Sequence, residues 1–133
     1  MAAAVAGAAV TLGVMSVIDR TARSERVYAA TLHGLSTDGS ARASARLASL
    51  PAGTSVELSV SGLQPSPGAV YELWCIRDDG SRMSAGTFRV DRSGEAYVHL
   101  TTAARLGEYH RLSVERAARH GPATRVMAGQ VAY

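Results

Sequence analysis

Two patterns of hydrophobic positions divide the chain. Residues 2–18 carry no charged side chain, and the only polar ones among them are Thr11 and Ser16. After residue 26 apolar and polar positions alternate, and Gly, Pro, Asp and Ser interrupt the alternation at short intervals. A continuous apolar run predicts a membrane segment or a signal peptide, whereas alternation predicts β-strands with one buried face.

The alternation predicts about eight strands. It is clearest over residues 54–61, where Val56, Leu58 and Val60 alternate with polar residues, and it recurs over 95–101 and 111–115. In residues 111–115 it predicts that Leu112 and Val114 face the core and that Ser113 and Glu115 face solvent. Residues 70–77 are apolar on both faces except for Glu72, which is typical of a central strand. The remaining strands are predicted at residues 27–34, 41–48, 83–90 and 125–133.

The connections indicate how the strands are joined. The segments 78–81 and 91–94 each begin with Asp and end in Gly or Gly-Ser, which suits hairpins and predicts a meander of three strands. Residues 63–68 contain two prolines, which cannot donate to a ladder, so this segment is predicted to cross between sheets. The predicted fold is all-β: an antiparallel β-sandwich of about eight strands, Greek-key-like, preceded by one N-terminal transmembrane helix.

We therefore predict a transmembrane anchor at residues 1–19, a juxtamembrane linker at 20–26 and an extracytoplasmic β-sandwich domain at 27–133. No basic residue precedes the apolar run, which favours an anchor over a cleaved signal peptide. A buried alanine-rich core helix is the alternative. Three arginines follow the run and would place the domain in the cytoplasm by the positive-inside rule, unless a further cytoplasmic region precedes it. Charge alone therefore leaves the orientation open.

Composition narrows the functional classes. The formal net charge is +3, and the 14 basic residues, all arginines, are spread along the chain rather than gathered. Nucleic-acid binding needs basic groups on one face, so no nucleic-acid partner is expected. The single cysteine, Cys75, excludes an internal disulfide and a thiolate-rich zinc site.

Three kinds of specific chemistry can be weighed against simpler interpretations. Cys75, Met83 and the histidines invite a copper site, but Cys75 lies within a strand and far from any His, which favours a packed core thiol. Asp78 and Asp79 supply too few oxygen ligands for calcium, so a turn is favoured. No turn of the type that exposes a catalytic nucleophile occurs, so we expect no catalytic residues, cofactor, metal or small-molecule substrate.

Trp74 and the arginines leave two smaller alternatives. Trp74 is either a packing residue, which is favoured, or a ligand-binding aromatic. Arg77, Arg82 and Arg89 are either scattered exposed residues or a basic patch that meets an anionic partner or a lipid headgroup.

The centre of the chain carries a motif that is similar to a known family. Gly62-Leu63-Gln64-Pro65 is followed by the strand Val70-Tyr71-Glu72-Leu73-Trp74-Cys75-Ile76, then by Asp79-Gly80, Ser84-Ala85-Gly86-Thr87-Phe88 and a Gly94 turn. This order resembles the C-terminal domain of RskA-type anti-sigma factors, the anti-sigma-K factor family. The residues that carry the resemblance are Gly62, Leu63, Pro65, Tyr71, Leu73, Trp74, Asp79, Gly80, Ser84, Ala85, Gly86, Phe88 and Gly94. Glu72 and Cys75 depart from it, because Gln and Leu are commoner there.

The resemblance implies a single-pass protein of the bacterial cell membrane whose β domain lies outside the cytoplasm and regulates sigma-factor release, and hence transcription. Its implied partners are the membrane, a sigma factor bound through an N-terminal region that this chain lacks, and an intramembrane or site-1 type protease. The alternative is a stand-alone membrane-anchored β-sandwich binding module of the cell envelope.

Overall fold

Eight β-strands make up most of the part of the chain that the structure, a computed structural model, describes: residues 26–133. Every strand that the alternation predicts is present, with its ends shifted by no more than two residues. One short 3-10 turn, Ser36–Asp38, joins the first two strands. The strands are β1 (Val27–Gly34), β2 (Arg42–Leu50), β3 (Gly53–Ser61), β4 (Tyr71–Ile76), β5 (Arg82–Phe88), β6 (Ala96–Thr102), β7 (Arg111–Arg116) and β8 (Thr124–Ala132).

The strands form one sheet in the order β5-β4-β7-β8-β1-β2-β3-β6, and every neighbouring pair is antiparallel. The sheet curls until its two edge strands, β5 and β6, face each other, which makes it a nearly closed barrel. The all-β prediction holds, but the predicted sandwich is wrong. β8 is hydrogen-bonded to β7 on one side and to β1 on the other, so the two halves are continuous rather than two stacked sheets.

The predicted meander is also wrong at its last strand. β4 and β5 form the expected hairpin, but β6 pairs with β3 instead of β5. In the β3–β6 register Leu58 lies opposite Val98 and Val56 opposite Leu100, so the inward-facing residues of both strands are aligned. The connection between β5 and β6 covers all of residues 89–95, longer than a tight hairpin requires, and carries β6 away from a ladder with β5.

The inward faces of the strands enclose a single hydrophobic core. Leu73 on β4 is completely buried, and its backbone neighbours are Gly86 on β5 and Val114 on β7. β4 is therefore an interior strand, as its composition predicts. The largest fully buried hydrophobic side chains are those of Tyr71, Leu32, Leu58, Leu63, Leu73, Leu112, Met127, Val56, Val114 and Val126.

The barrel has two distinct ends. The proximal end is where β1 begins at Val27, and the connections 51–52, 77–81 and 103–110 lie there. The distal end carries the 3-10 turn and the connections 62–70, 89–95 and 117–123.

Residues 26–133, the part that the structure describes, contain no counterpart of the predicted transmembrane helix. Within residues 26–133 no helix is long and apolar enough to cross a membrane. The predicted anchor at 1–19 and all but the last residue of the linker at 20–26 lie outside the described residues. The predicted combination of a sandwich with a preceding helix is thus corrected to a nearly closed barrel.

Truncation of Leu73 tests the placement of the core. Leu73→Ala removes a completely buried side chain from an interior strand, so we expect the free energy of unfolding to fall by about 2 to 5 kcal/mol. Urea titration followed by circular dichroism measures this loss. A loss below about 1 kcal/mol, which is less than such cavities cost, would contradict the core described above.

Candidate functional site

Several motif residues meet at the distal end, although they are far apart in sequence. A Cβ atom added to Gly94 would lie 2.0 Å from the backbone oxygen of Leu63, and Gly94 has a φ of +80°. Leu63 is itself buried at 1% exposure. The loop between β5 and β6 therefore touches the backbone of the 62–70 connection, and only glycine fits at this contact. We call this connection the crossover. It joins β3 to β4 within one sheet, so the prediction that it crosses between two sheets is wrong.

Two aromatic residues of the motif support the crossover from the core side. The rings of Tyr71 and Phe88, on neighbouring strands, stack with their centroids 5.7 Å apart. The Tyr71 hydroxyl donates a hydrogen bond to the backbone oxygen of Gln64, at 3.3 Å. Pro65 follows on the exposed side of the crossover. These motif residues, Leu63, Tyr71, Phe88 and Gly94, thus fix the distal end of the barrel.

The loop that carries Gly94 is ordered by Asp91. One oxygen of the Asp91 carboxylate accepts hydrogen bonds from the backbone N–H of Glu95 (3.0 Å), and from the backbone N–H (2.9 Å) and hydroxyl (2.7 Å) of Ser93. These hydrogen bonds, with that from Glu95 foremost, lower the pKa of Asp91. The loop is therefore a preformed turn that presses Gly94 against the crossover.

Asp79 and Gly80 form the turn of the β4–β5 hairpin at the proximal end. The Asp79 carboxylate accepts hydrogen bonds from the hydroxyl (2.6 Å) and the backbone N–H (2.9 Å) of Ser81, and these bonds lower its pKa. Gly80 has a φ of +89°, and a Cβ there would meet nothing within 4 Å. The turn interpretation of this segment agrees with the geometry.

The motif segment Ser84-Ala85-Gly86 forms a β-bulge on β5. The register shifts between Leu73 and Trp74, so that Leu73 pairs with Gly86 and Trp74 with Ser84. The Ser84 hydroxyl donates to the Glu72 carboxylate (2.7 Å) and accepts from the backbone N–H of Gly86 (3.1 Å). A bulge bends the strand and interrupts its pairing pattern. β5 therefore presents an irregular edge to β6.

Side chains hold these two edges together along a line that we call the seam, the junction of β5 with β6. The Thr102 hydroxyl on β6 donates to the backbone oxygen of Ser84 on β5 (3.0 Å), and accepts from the backbone N–H of Ala104 (3.2 Å). Thr54 donates to the oxygen of Ala104 (2.7 Å). The 103–110 connection is thereby tied to β3 and β6, on one side of the seam, and its Ala104 and Tyr109 are buried at the proximal end.

The outer face of β4, β5 and β7 carries a charged cluster that alternation does not predict. Trp74 lies under the Arg82 guanidinium, 4.0 Å from its centre to the ring centroid, and Arg82 forms an ion pair with Glu115. Ser113 and Glu115 are buried, at 1% and 8% exposure, although both were predicted to face solvent. The favoured packing role of Trp74 agrees with this arrangement, because Arg82 occupies one face of the ring.

The three arginines considered as a basic patch do not form one. Arg77 forms an ion pair with Glu108 (2.9 Å) and lies 5.0 Å from the ring centroid of Tyr109, while Arg82 is taken by Glu115. Arg89 follows the far end of β5, about 23 Å from Arg82 at the rise of an extended strand.

Cys75 has the surroundings of a core thiol. It is 3% exposed and faces Met83 across the β4–β5 ladder, and burial raises the pKa of its thiol to about 11. Three of the histidines lie elsewhere: His33 beside Arg42, His99 beside Glu57 and His110 beside Asp78. Within residues 26–133 no three His, Cys, Asp or Glu side chains gather in a way that could hold a metal ion.

Two glycines with similar backbone angles separate the role of close contact from that of backbone strain. Gly80→Ala adds a methyl group in open space, so we expect only the cost of a left-handed alanine, about 1 kcal/mol. Gly94→Ala adds the same strain and a clash with Leu63, so its loss should be larger by about 1 to 3 kcal/mol. Urea titration of both variants gives the comparison, and equal losses would show that the Gly94 contact does not constrain the distal end.

Comparison with known proteins identifies the family. The family described as "Anti-sigma-K factor rskA, C-terminal" matches residues 1–123 of the 133 in the chain. No curated protein and no solved structure matches this chain. The family match includes the crossover, the β4–β5 hairpin, the bulge and the Gly94 loop. Since it covers well over half of the chain, this protein belongs to the family of C-terminal domains of the anti-sigma-K factor RskA.

Proposed function

We propose that this chain is the extracytoplasmic domain of a membrane-bound anti-sigma factor and that it controls when the sigma factor is released. The observation that carries the proposal is the family match over residues 1–123, which spans the uncharged segment as well as most of the barrel. The role is regulatory, in keeping with the family. Sigma-factor binding is assigned to the region that the family resemblance implies ahead of the membrane segment.

Attachment to the membrane is part of the proposal. Its support is the sequence of residues 2–18, which has no charged side chain, and the position of β1, which begins at Val27 shortly after it. A domain that begins so close to a membrane segment is held beside the bilayer. The barrel is proposed to lie on the extracytoplasmic side.

The barrel is proposed to act by withholding the chain from a protease. A protease binds its substrate as an extended segment, and strands within a hydrogen-bonded sheet are not accessible in that form. Cleavage therefore depends on opening of the barrel. The proposed partner is a site-1 type protease, whose cut would be followed by release of the sigma factor.

The seam supports a specific route for that opening. Seven pairs of neighbouring strands are joined by backbone ladders, whereas β5 and β6 are held by side-chain contacts such as that of Thr102 with Ser84. Fewer hydrogen bonds must break to part the seam than to part any ladder. Opening there would expose the outer edges of β5 and β6 and the 89–95 loop between them, and each edge strand would then be held by a single ladder.

A chromosomal Thr102→Val exchange in the native bacterium tests this function and route. The change keeps the shape of the side chain but removes the hydroxyl that bridges Ser84 and Ala104, so stability should fall by about 1 to 3 kcal/mol. We expect the protein to be cleaved faster and the transcripts that depend on its sigma factor to rise. Immunoblotting and RNA sequencing measure the two effects.

Thr101→Val is the matched control, because Thr101 is the exposed neighbour on the same strand. It should leave both readouts at the wild-type level. Deletion of the whole gene sets the upper limit of transcript change. If deletion changes no sigma-dependent transcript, the anti-sigma function is wrong. If deletion raises them but Thr102→Val leaves cleavage unchanged, the function stands and the seam route is wrong.

A further inference from the structure

The exposed apolar side chains of the barrel are concentrated at its proximal end. Among residues 26–133, the exposed large hydrophobic side chains are those of Val27, Leu35, Leu50, Met83, Tyr97 and Tyr133. Val27 begins β1, Leu50 ends β2, Met83 is the second residue of β5 and Tyr133 follows β8, and all four positions lie at the proximal end. Leu35 lies at the distal end and Tyr97 on the side of the barrel. We call these four residues, together with Arg105 of the 103–110 connection, the proximal face.

The proximal face is held in place by local contacts. Val27 and Leu50 line one shallow depression of about 180 Å³ on the outside of β1, β2 and β3, which also contains the ion-paired Arg46 and Glu57. The Tyr133 ring packs edge-on against Tyr28, with centroids 5.1 Å apart, and its hydroxyl donates to the backbone oxygen of Tyr109 (2.6 Å). The C-terminal Tyr133 side chain is therefore exposed in a fixed position rather than as a loose tail.

The charged groups around this face are largely engaged with one another. Glu108 pairs with Arg77, and Asp78 lies 3.4 Å from His110. Asp79 accepts two hydrogen bonds from Ser81. Within the described residues, no carboxylate lies within 4.0 Å of Arg105, which is exposed. The face thus offers aliphatic and aromatic groups with a cation beside them.

We propose that the proximal face docks on the surface of the lipid bilayer. This proposal rests on the proposed attachment of the chain to the membrane. Residues 19–25 separate the uncharged segment from the first described residue, and even fully extended they span at most about 25 Å. The bilayer surface is therefore always within reach of this end of the barrel, and the tether gives it a high effective concentration there.

The chemistry of the face fits a lipid surface. Tyrosine rings combine an apolar body with a polar tip, and they are enriched at the boundary between lipid and water. Aliphatic groups beside them enter the headgroup region, and arginine is attracted to anionic lipid. Val27, Leu50 and Tyr133 supply the apolar part, and Arg105 supplies the cation.

Docking would also cover the proximal end of the seam. Leu50 shares a depression with Thr102 and Ala103, where the seam ends and the 103–110 connection begins. A bilayer that covers Leu50 therefore lies against the residues that tie β6 to β5. Lifting the proximal face from the lipid would expose the Thr102–Ser84 hydrogen bond first.

The test uses the full chain in liposomes of phosphatidylcholine and phosphatidylglycerol, with Cys75→Ala to leave one labelling site. An environment-sensitive NBD dye is attached at Leu50→Cys or Val27→Cys on the face, and at the matched exposed positions Leu35→Cys and Tyr97→Cys. Circular dichroism confirms that each variant is folded. At positions 27 and 50 we expect a blue shift of NBD emission and strong quenching by a lipid-borne nitroxide, whereas positions 35 and 97 should show neither.

The outcomes separate this proposal from the proposed function. If the chain floats with the liposomes but positions 27 and 50 are quenched no more than 35 and 97, the docking proposal is overturned and membrane attachment stands. If the chain fails to float, attachment itself is wrong and docking fails with it. A blue shift at positions 27 and 50 that comes without nitroxide quenching and is lost on dilution to one chain per liposome would assign the face to a second copy of the chain and overturn the lipid proposal.

Discussion

Closure of a single sheet around one core is the constraint on which the rest of this structure depends. A curved sheet that stays open exposes two strand edges, and exposed edges invite pairing with other chains. Here the two edges meet, and Thr102 bridges them through its hydrogen bond to Ser84. The bulge at Ala85 makes one edge irregular, so closure depends on side chains and on the 103–110 connection rather than on a final ladder.

The residues of the family motif shape the distal end of the barrel and one edge of its sheet. Gly94 and Leu63 bring two distal loops into backbone contact, and Tyr71 fastens the crossover to the core. Ser84 and Gly86 shape the edge that faces β6. The motif therefore belongs to a barrel with one junction that no backbone ladder closes. Such an arrangement suits a domain whose proposed role is to stay closed until it is opened.

The strands could be predicted from sequence because a period of two is a local property that a half-buried strand imposes on its own residues. The partner of β6 could not, since pairing with β3 or with β5 satisfies the alternation equally well. The exposure of Ser113 and Glu115 was predicted wrongly for a related reason. They lie on the outer face, but Trp74 and Arg82 from other strands gather over that face. The contact of Gly94 with Leu63 likewise joins distant segments, although the glycines and prolines of these loops marked them as turns.

Native-state hydrogen exchange, followed residue by residue with NMR, tests closure through side chains most directly. If the seam is the weakest line of the barrel, the amides that hydrogen-bond β5 to β4 and β6 to β3 exchange through local opening, roughly tenfold or more faster than those that join β1 to β8. The β1 and β8 amides should open only with global unfolding. Equal protection of β5, β6, β1 and β8 would mean that the barrel opens as one unit, and would contradict a seam held by side chains alone.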